Sequence, residues 1–277
     1  MNPARTKTAA APARQDARPV GDHLREWRQR RRMSQMDLAM EADISTRHLS
    51  FVETGRSAPS REMILNLAEQ LDIPLRERNV LLVAAGFAPI FPERGLDDPG
   101  LANARKAIDI VLAGHEPYPA VALDRHWTLV AHNRAIAPFL EGCDPALLAP
   151  PVNMLRLALN PKGISPRIDN LGEVRGHLMA RLKRQIELTA DPVLEGLLKE
   201  VSGYPVPFSH PHPKKGQEAG ELFVPIRLKT SGGLLTLISA TTVFGTPIDV
   251  TLSELAIETF LPADAATAEA LRKMMPA

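Results

Sequence analysis

The sequence has 277 residues, enough to bury a hydrophobic core, and this length favours about two domains. Hydrophobic residues make up 44% of the chain and charged residues 23%, and no run approaches the roughly 20 apolar residues of a membrane span. We therefore expect a soluble protein without a membrane partner. The single cysteine, Cys143, excludes an internal disulfide framework and a zinc site of several cysteines, and it is typical of a cytoplasmic protein.

The net charge is only +1, but the positive charge is concentrated near the N-terminus. Residues 1–36 carry nine Lys and Arg against three acids, whereas residues 95–277 carry 18 basic and 20 acidic residues. This distribution favours a phosphate-facing surface in the N-terminal part. Residues 1–19 are rich in Ala, Arg, Thr and Pro and lack the apolar core of a secretory signal. We predict that they form a disordered tail and not a targeting peptide.

Residues 20–86 are predicted to form five short helices joined by short connections. Apolar residues recur there at helical spacing, and Ser, Pro or Gly stands at the predicted ends. The first predicted helix covers 21–32, and the second starts after Ser34. The third runs from Ser45 to Gly55, the fourth starts after Ser60, and the fifth runs from Pro74 to Gly86. This pattern indicates a compact all-α domain.

The third of these helices has an unusual outward face. Leu49 and Val52 lie three residues apart on one side of the helix and are predicted to anchor it. The other side presents mostly small polar side chains together with a phenylalanine, namely Thr46, Arg47, Ser50 and Phe51. A second helix that presents such side chains after a tight turn meets the requirements for reading a DNA major groove.

The stretches "MSQMDLAMEADIS" and "TRHLSFVETGRSAPS" resemble the lambda-repressor/Cro-like (Xre-type) helix-turn-helix family over about residues 20–75. The resemblance implies a structural ion pair between Arg28 and Glu53. It also implies base contacts from Thr46, Arg47, Ser50 and Phe51, and backbone contacts from Ser34, Gln35, His48, Thr54, Arg56 and Ser57. Arg47 suits a bidentate contact with guanine, and Phe51 suits packing on a thymine methyl group.

Two other interpretations of this domain stay open. The helices can form a small bundle with a solvated polar face, or the same fold can serve as a protein–protein adaptor. An arginine cluster favours DNA over an adaptor, because phosphate neutralisation requires basic residues near the reading helix. The cluster comprises Arg25, Arg28, Arg30, Arg31 and Arg32.

Residues 87–100 contain three prolines and two glycines and are predicted to be a linker. The domain that follows is predicted to span 101–273 and to be α+β with an antiparallel sheet. Its predicted strands are 120–123, 127–131 after a turn at Asp124–Arg125, 221–229, 234–244 and 255–261. Its predicted helices are 101–112, 133–140, 152–159, 171–190, 192–201 and one from Ala263.

Patterns that would indicate catalysis or metal binding are weak in this second domain. The eight histidines of the chain are scattered, and the prolines in "HPHP" at 210–213 disfavour a regular ligand geometry. Cys143 lies in "EGCDPALL" without a histidine and an acid nearby in sequence, so a small buried thiol is preferred to a nucleophile. No phosphate-binding glycine motif occurs. We predict no enzymatic activity, no metal site and no required cofactor.

Residues 100–272 resemble the MmyB-like ligand-binding domain of bacterial transcription regulators. The matching stretches include "HEPYPAVALDRHWTLVAHNRA", "PPVNMLRLALNPKGISPRIDN", "HLMARLKRQ" and "TTVFGTPIDVTLSELAIETFLPADAATAEAL". The resemblance implies a PAS-like fold, in which a five-stranded antiparallel sheet and helices enclose a pocket. It also implies a small hydrophobic effector, with fatty-acid-like compounds as the leading type.

A pocket for an acyl chain needs apolar lining and a polar or cationic group at its mouth. The candidate lining residues are Phe139, Met154, Leu155, Leu178, Leu182, Ile238 and Val243. The candidate head-group residues are Asn133, Arg156, His177 and Arg181. For each apolar residue the alternative is plain core, and for each arginine it is a surface charge or a structural ion pair.

Together these patterns predict a sequence-specific DNA-binding transcription regulator that senses a small, fatty-acid-like ligand. We expect a homodimer on a pseudo-palindromic double-stranded operator, because a single small module contacts few bases. Two alternatives keep the same sequence features. In one the C-terminal domain only dimerises, and in the other it is an enzyme acting on a lipid or acyl substrate.

Overall fold

A computed structural model describes residues 18–205, 224–245 and 247–275. Most of the predicted disordered tail, the "HPHP" motif and the first part of the predicted strand at 221–229 lie outside these residues. The described chain divides into two compact units, with the boundary between Ile90 and Phe91. Among the described residues, no helix combines the length and the apolar character needed to cross a membrane.

The N-terminal unit contains five helices, as its sequence predicts. The side chains of Ser34, Ser45 and Ser60 each accept a hydrogen bond from a backbone N–H in the first turn of the helix that follows. These caps fix where three of the five helices begin. The helices are α1 (Val20–Arg30), α2 (Gln35–Glu41), α3 (Thr46–Glu53), α4 (Arg61–Gln70) and α5 (Leu75–Ala84).

The core of the N-terminal unit is made of leucine and isoleucine side chains from all five helices. Leu24 of α1, Leu49 of α3 and Ile64 of α4 are completely buried. A Cβ atom added to Gly21 would lie 2.4 Å from the carbonyl oxygen of Val52, so α1 and α3 pack too closely for any larger residue at this position. This close packing fixes the orientation of α3.

The C-terminal unit is α+β, as predicted, with a five-stranded antiparallel sheet in the order β2-β1-β5-β4-β3. The strands are β1 (Ala120–Leu123), β2 (Leu129–His132), β3 (Ile226–Thr230), β4 (Gly233–Val243) and β5 (Ala256–Pro262). The helices are α6 (Ala102–Gly114), α7 (Ala137–Leu140), α8 (Pro145–Leu148), α9 (Met154–Leu159), α10 (Leu171–Thr189), α11 (Pro192–Ser202), α12 (Val250–Ser253) and α13 (Ala265–Met274).

One predicted strand starts too early. The prediction placed Trp127 in the second strand, but its φ angle is +65°, which belongs to the left-handed region and not to a strand. The connection after β1 is therefore a longer loop, in which Asp124 Oδ1 accepts bonds from the backbone N–H groups of His126 and Thr128. This loop directs the indole of Trp127 into the core.

Both faces of the sheet are covered. On one face, Ala120 and Ala122 of β1 pack with Ile108 and Leu112 of α6. On the other face, side chains of all five strands pack with α7, α9, α10, α11 and α13. Alternate residues of β1 point to opposite faces of the sheet, and all four are buried, so both faces are covered at this strand. The cavity described below lies on the second face.

Candidate functional site

The outward face of α3 is available for contact in the N-terminal unit. Leu49 and Val52 are buried as predicted, whereas Thr46 and Arg47 are exposed and Phe51 is half-buried. The other residues of the predicted DNA surface lie around this face. Ser34, Thr54 and Arg56 are exposed, and Gln35, His48, Ser50 and Ser57 are half-buried.

Phe51 contacts two arginines of the predicted surface. The guanidinium carbon of Arg47 lies 5.4 Å from the centre of the Phe51 ring, and that of Arg56 lies 5.9 Å from it. Gly55, at a φ of +71°, allows the chain to fold back so that the N–H groups of Arg56 and Ser57 both donate to the carbonyl of Phe51. The ring therefore holds the two cations on one surface through cation–π contacts.

The predicted ion pair between Arg28 and Glu53 is confirmed. Arg28 Nε donates to Glu53 Oε1 at 2.7 Å and Nη2 donates to Oε2 at 2.9 Å, and the Glu53 side chain is fully buried. Gln35 Nε2 also donates to Glu53 Oε2, at 2.8 Å. Burial alone would raise the pKa of Glu53, but the bonds from Arg28 and Gln35 and the charges of Arg28 and Arg25 hold it below its ordinary value.

Four of the five arginines in the cluster at the start of this unit have partners within the unit. Arg28 is in the buried pair, and Arg25 Nη2 donates to the carbonyl of Glu53. Arg31 donates to the carbonyls of Leu71 and Asp72, and Arg30 pairs with Glu26. Phosphate contact by this cluster stays a prediction, and the internal bonds show a structural role for these four arginines.

A cavity of about 110 Å³ lies between the second face of the sheet and the helices of the C-terminal unit. Its lining is almost entirely apolar and comes from β1, β3, β4, β5, α7, α9 and α10. The apolar residues that enclose it include Val121, Leu123, Trp127, Ile136, Ala158, Ile168, Val174, Leu228, Leu237 and Phe260. Such a lining excludes strongly hydrated ligands.

Five predicted ligand residues line this cavity: Phe139, Met154, Leu155, His177 and Leu178. The structure does not bring the other apolar candidates to it. Leu182 is completely buried core, Val243 is 63% exposed on β4, and Ile238 alternates with the lining residues Leu237 and Ser239.

The other polar candidates do not line the cavity. Asn133 is buried, where it accepts from the N–H of Ala120 and donates to the carbonyls of Leu112 and Tyr118. It therefore fastens the backbone around β1. Arg156 forms a bidentate pair with Glu200, and this exposed pair uses its guanidinium. Polarity alone did not distinguish these structural roles from ligand contacts.

Among the described residues, three polar side chains line the cavity, namely His177, Ser239 and Glu258, and we call them the polar corner. Glu258 is 7% exposed, and its Oε1 accepts a bond from Arg181 Nη1 at 3.0 Å. The Arg181 guanidinium also lies over the Trp127 ring, 4.4 Å from its centre. Arg181 thus contacts Glu258 and Trp127 but does not itself line the cavity.

Sequence reasoning missed Ser239 and Glu258. The alternation of apolar and polar residues in "LLTLISATTV" and "AIETF" shows that each strand has two faces, but Glu258 looks like an outward residue in that pattern. One feature of the sequence could have indicated an acidic partner near the cavity. His177 and Arg181, two basic candidates, lie one turn apart on α10. The acid that pairs with the half-buried Arg181 is Glu258.

Curated relatives of this chain carry regulatory names. A protein of Methanoculleus marisnigri with an HTH-type transcriptional regulatory name is 37% identical over 128 residues, 44% of this chain and 41% of that protein. The uncharacterized HTH-type transcriptional regulator RghRB of Bacillus subtilis is 37% identical over 76 residues, 27% of this chain and 52% of that protein. The chain thus spans about half or less of the length of these relatives.

A solved RNA-binding light-oxygen-voltage receptor aligns over 93% of this chain and 63% of its own, with 13% identity. Its TM-score of 0.27 is too low to support an argument. The profile of a family described as "Helix-turn-helix domain" matches residues 19–81. A second profile, "MmyB-like transcription regulator ligand binding domain", matches residues 104–274, more than half of the chain. The protein therefore belongs to the transcription regulators with an MmyB-like ligand-binding domain, which here follows a helix-turn-helix domain.

Proposed function

We propose that this protein binds a specific DNA operator and that its C-terminal unit senses a small, fatty-acid-like hydrocarbon ligand. The observation that carries the proposal is that one chain combines an outward α3 face of polar and basic residues with an apolar cavity. An effector changes operator affinity when it binds one DNA-binding geometry better than another. The cavity and α3 are the two sites that such coupling requires.

On the DNA, α3 enters the major groove with Thr46, Arg47, Ser50 and Phe51 toward the bases. Arg47 pairs with a guanine, and Phe51 contacts a thymine methyl group while it orders Arg47. Phosphates are held by the surrounding residues Ser34, Gln35, His48, Thr54, Arg56 and Ser57. Gln35 does this from its bond to Glu53, which fixes its side chain.

We propose a homodimer that places two α3 helices on half-sites about one helical turn apart. The sheet order and the cavity between sheet and helices support a PAS-like description of the C-terminal unit. The ligand contacts are the lining residues of the cavity, among them Phe139, Met154, Leu155, His177 and Leu178. The apolar cavity supports ligand binding and disfavours a C-terminal domain that only dimerises.

The alternative of a lipid-acting enzyme has one observation in its favour. The polar corner holds a serine, a histidine and a glutamate, the residue types of a hydrolytic triad. However, Glu258 bonds to Arg181, and no hydrogen bond connects the three residues of the polar corner to one another in the described part of the chain. Hydrolysis of p-nitrophenyl octanoate that is lost in Ser239→Ala would support the enzyme instead.

The decisive experiment is selection of bound sequences from random DNA by the full-length protein, with and without a lipid extract. We expect enrichment of a pseudo-palindrome and a change in its enrichment when the extract is present. Arg47→Ala should lower affinity for the selected sequence more than for random DNA, and an equal loss on both would limit Arg47 to phosphate contact. Native mass spectrometry that shows a dimer without any bound ligand, which also accepts neither acyl compounds nor long-chain alcohols, would reject the sensing role.

A further inference from the structure

We propose that the ligand of the cavity is an uncharged apolar molecule whose polar end donates a hydrogen bond, as an aliphatic alcohol does. This inference rests on the proposed sensing function, because it specifies the chemistry of the ligand that the C-terminal unit senses. The ligand resembles a fatty acid in its hydrocarbon part and differs from it at the polar end. The reason lies in the charge and geometry of the polar corner.

The register of the sheet brings two members of the polar corner together. Ser239 of β4 pairs with Phe260 of β5, and Thr241 pairs with Glu258, so Ser239 and Glu258 are diagonal neighbours. Both line the cavity and therefore lie on the same face, where diagonal neighbours are about 7–8 Å apart. A single small head group between them reaches both side chains.

Glu258 has an oxygen to offer to this head group. Arg181 uses Oε1, and Oε2 has no donor among the described residues. Oε2 is also not completely shielded by the protein. Glu258 lines the cavity, and we assign this oxygen to the ligand. An ionised carboxylate only accepts hydrogen bonds, so its natural partner is a donor.

The charge balance selects an uncharged donor. A ligand carboxylate would leave a net negative charge beside the Glu258–Arg181 pair, and as an acceptor it cannot donate a hydrogen bond to Glu258 Oε2. A ligand ammonium would leave a net positive charge, because Arg181 already neutralises Glu258. A hydroxyl adds no charge, donates to Glu258 Oε2 and accepts from the Ser239 hydroxyl.

The volume of the cavity sets the size of suitable probes. An apolar protein cavity of about 150 Å³ accommodates benzene, and the volume here is about 110 Å³. A cavity of this volume encloses fewer than eight carbons, so the chain of an eight-carbon probe extends partly beyond it. Four such probes differ only at the polar end: 1-octanol, its isomer heptyl methyl ether, octanoate and octylammonium. The ether accepts hydrogen bonds but cannot donate one.

The test is isothermal titration calorimetry of delipidated full-length protein with these four probes at neutral pH. We expect 1-octanol to bind at least about tenfold more tightly than each of the other three, since a hydrogen bond to a charged group contributes that much or more. Equal binding of alcohol and ether would overturn the proposal, as would tighter binding of octanoate or octylammonium. Binding of none of the four would reject the sensing function itself.

Two variants locate the effect at the polar corner. Glu258→Gln should lower the affinity for 1-octanol and raise that for octanoate, because it removes the negative charge. Glu200→Gln is the matched control, since it breaks an arginine pair outside the cavity and should change neither affinity. Ser239→Ala keeps the Glu258–Arg181 pair and should weaken binding of 1-octanol severalfold. Its control is Ser231→Ala in the exposed β3–β4 turn, which should leave this binding unchanged. Unchanged probe preferences in both test variants would overturn the proposal.

Discussion

Each unit of the chain holds a buried glutamate paired with an arginine, and the two pairs are built differently. In the N-terminal unit, Glu53 accepts two bonds from Arg28 and one from Gln35, and both of its oxygens are used. In the C-terminal unit, Glu258 lines the cavity and accepts one bond from Arg181, and no donor among the described residues bonds to its second oxygen.

The difference separates a structural acid from an acid that can serve a ligand. Burying a carboxylate costs free energy unless it is fully hydrogen-bonded, and Glu53 meets this condition within its own unit. Its bonds connect α1, α2 and α3 and so hold the helix that carries the residues predicted to contact DNA. Glu258 has one such bond from the described residues, and the ligand donor that we propose would supply another. The following predictions test whether the two pairs differ in this way.

The largest expected effect comes from removing the partner of the fully bonded acid. Arg28→Ala leaves Glu53 buried without its main partner and should reduce the free energy of unfolding by about 3–5 kcal/mol. The measurement is urea unfolding of the full chain, followed by Trp27 fluorescence in a Trp127→Phe background. Arg30→Ala, which removes a partly exposed pair with Glu26, is the control and should cost about 0–1 kcal/mol. Equal losses in both variants would contradict a special role for the Arg28–Glu53 pair.

Acid should weaken the same pair gradually. The pKa of Glu53 is lower in the folded protein than in the unfolded chain, where it has the ordinary value of a glutamate. Its contribution to stability is therefore complete above that ordinary value and is lost as the pH falls toward the folded value. Urea unfolding of wild type and Glu53→Gln at several pH values should show a difference that shrinks on acidification. A difference that is independent of pH would contradict the assignment.

The cavity can be tested by filling it. Ala158 of α9 lines the cavity, and Ala158→Leu should reduce binding of 1-octanol while raising the free energy of unfolding by about 0.5–2 kcal/mol. If the core is in fact filled, the same change overpacks it and lowers stability by about 1–3 kcal/mol. The sign of the stability change thus separates a sensor from a domain that only dimerises. Ala113→Leu, on the exposed side of α6, is the control and should affect neither property.

The sequence predicts local features of this protein better than it predicts the site. The starts of α2, α3 and α4 were predictable, because a serine cap acts on the helix directly after it. The neighbourhood of Ser239 and Glu258 was not, since it depends on the register between β4 and β5, which sequence periodicity leaves open. Arg156 shows the same limit, because its partner Glu200 lies on another helix.

The smallest expected effect concerns Phe51, an aromatic residue of the predicted DNA surface that can either contact a base or order a neighbouring arginine. If the ring only packs on a thymine methyl group, Phe51→Ala and Arg47→Ala should lower operator affinity independently. If it also orders Arg47, as their 5.4 Å cation–π contact indicates, the two losses should be coupled by about 0.5–1 kcal/mol. The measurement is a double-mutant cycle of operator binding at fixed salt concentration.

A second cation–π pair in the same unit provides the control for this cycle. The guanidinium of Arg61 lies 5.5 Å from the centre of the Phe87 ring, and neither residue belongs to the predicted DNA surface. Alanine changes at Arg61 and Phe87 should leave operator affinity unchanged, because the contact supports no base-reading side chain. Strict additivity at Arg47 and Phe51 would show that the ring contributes through the base alone. Coupling would show that part of the specificity of Arg47 comes from its position over Phe51.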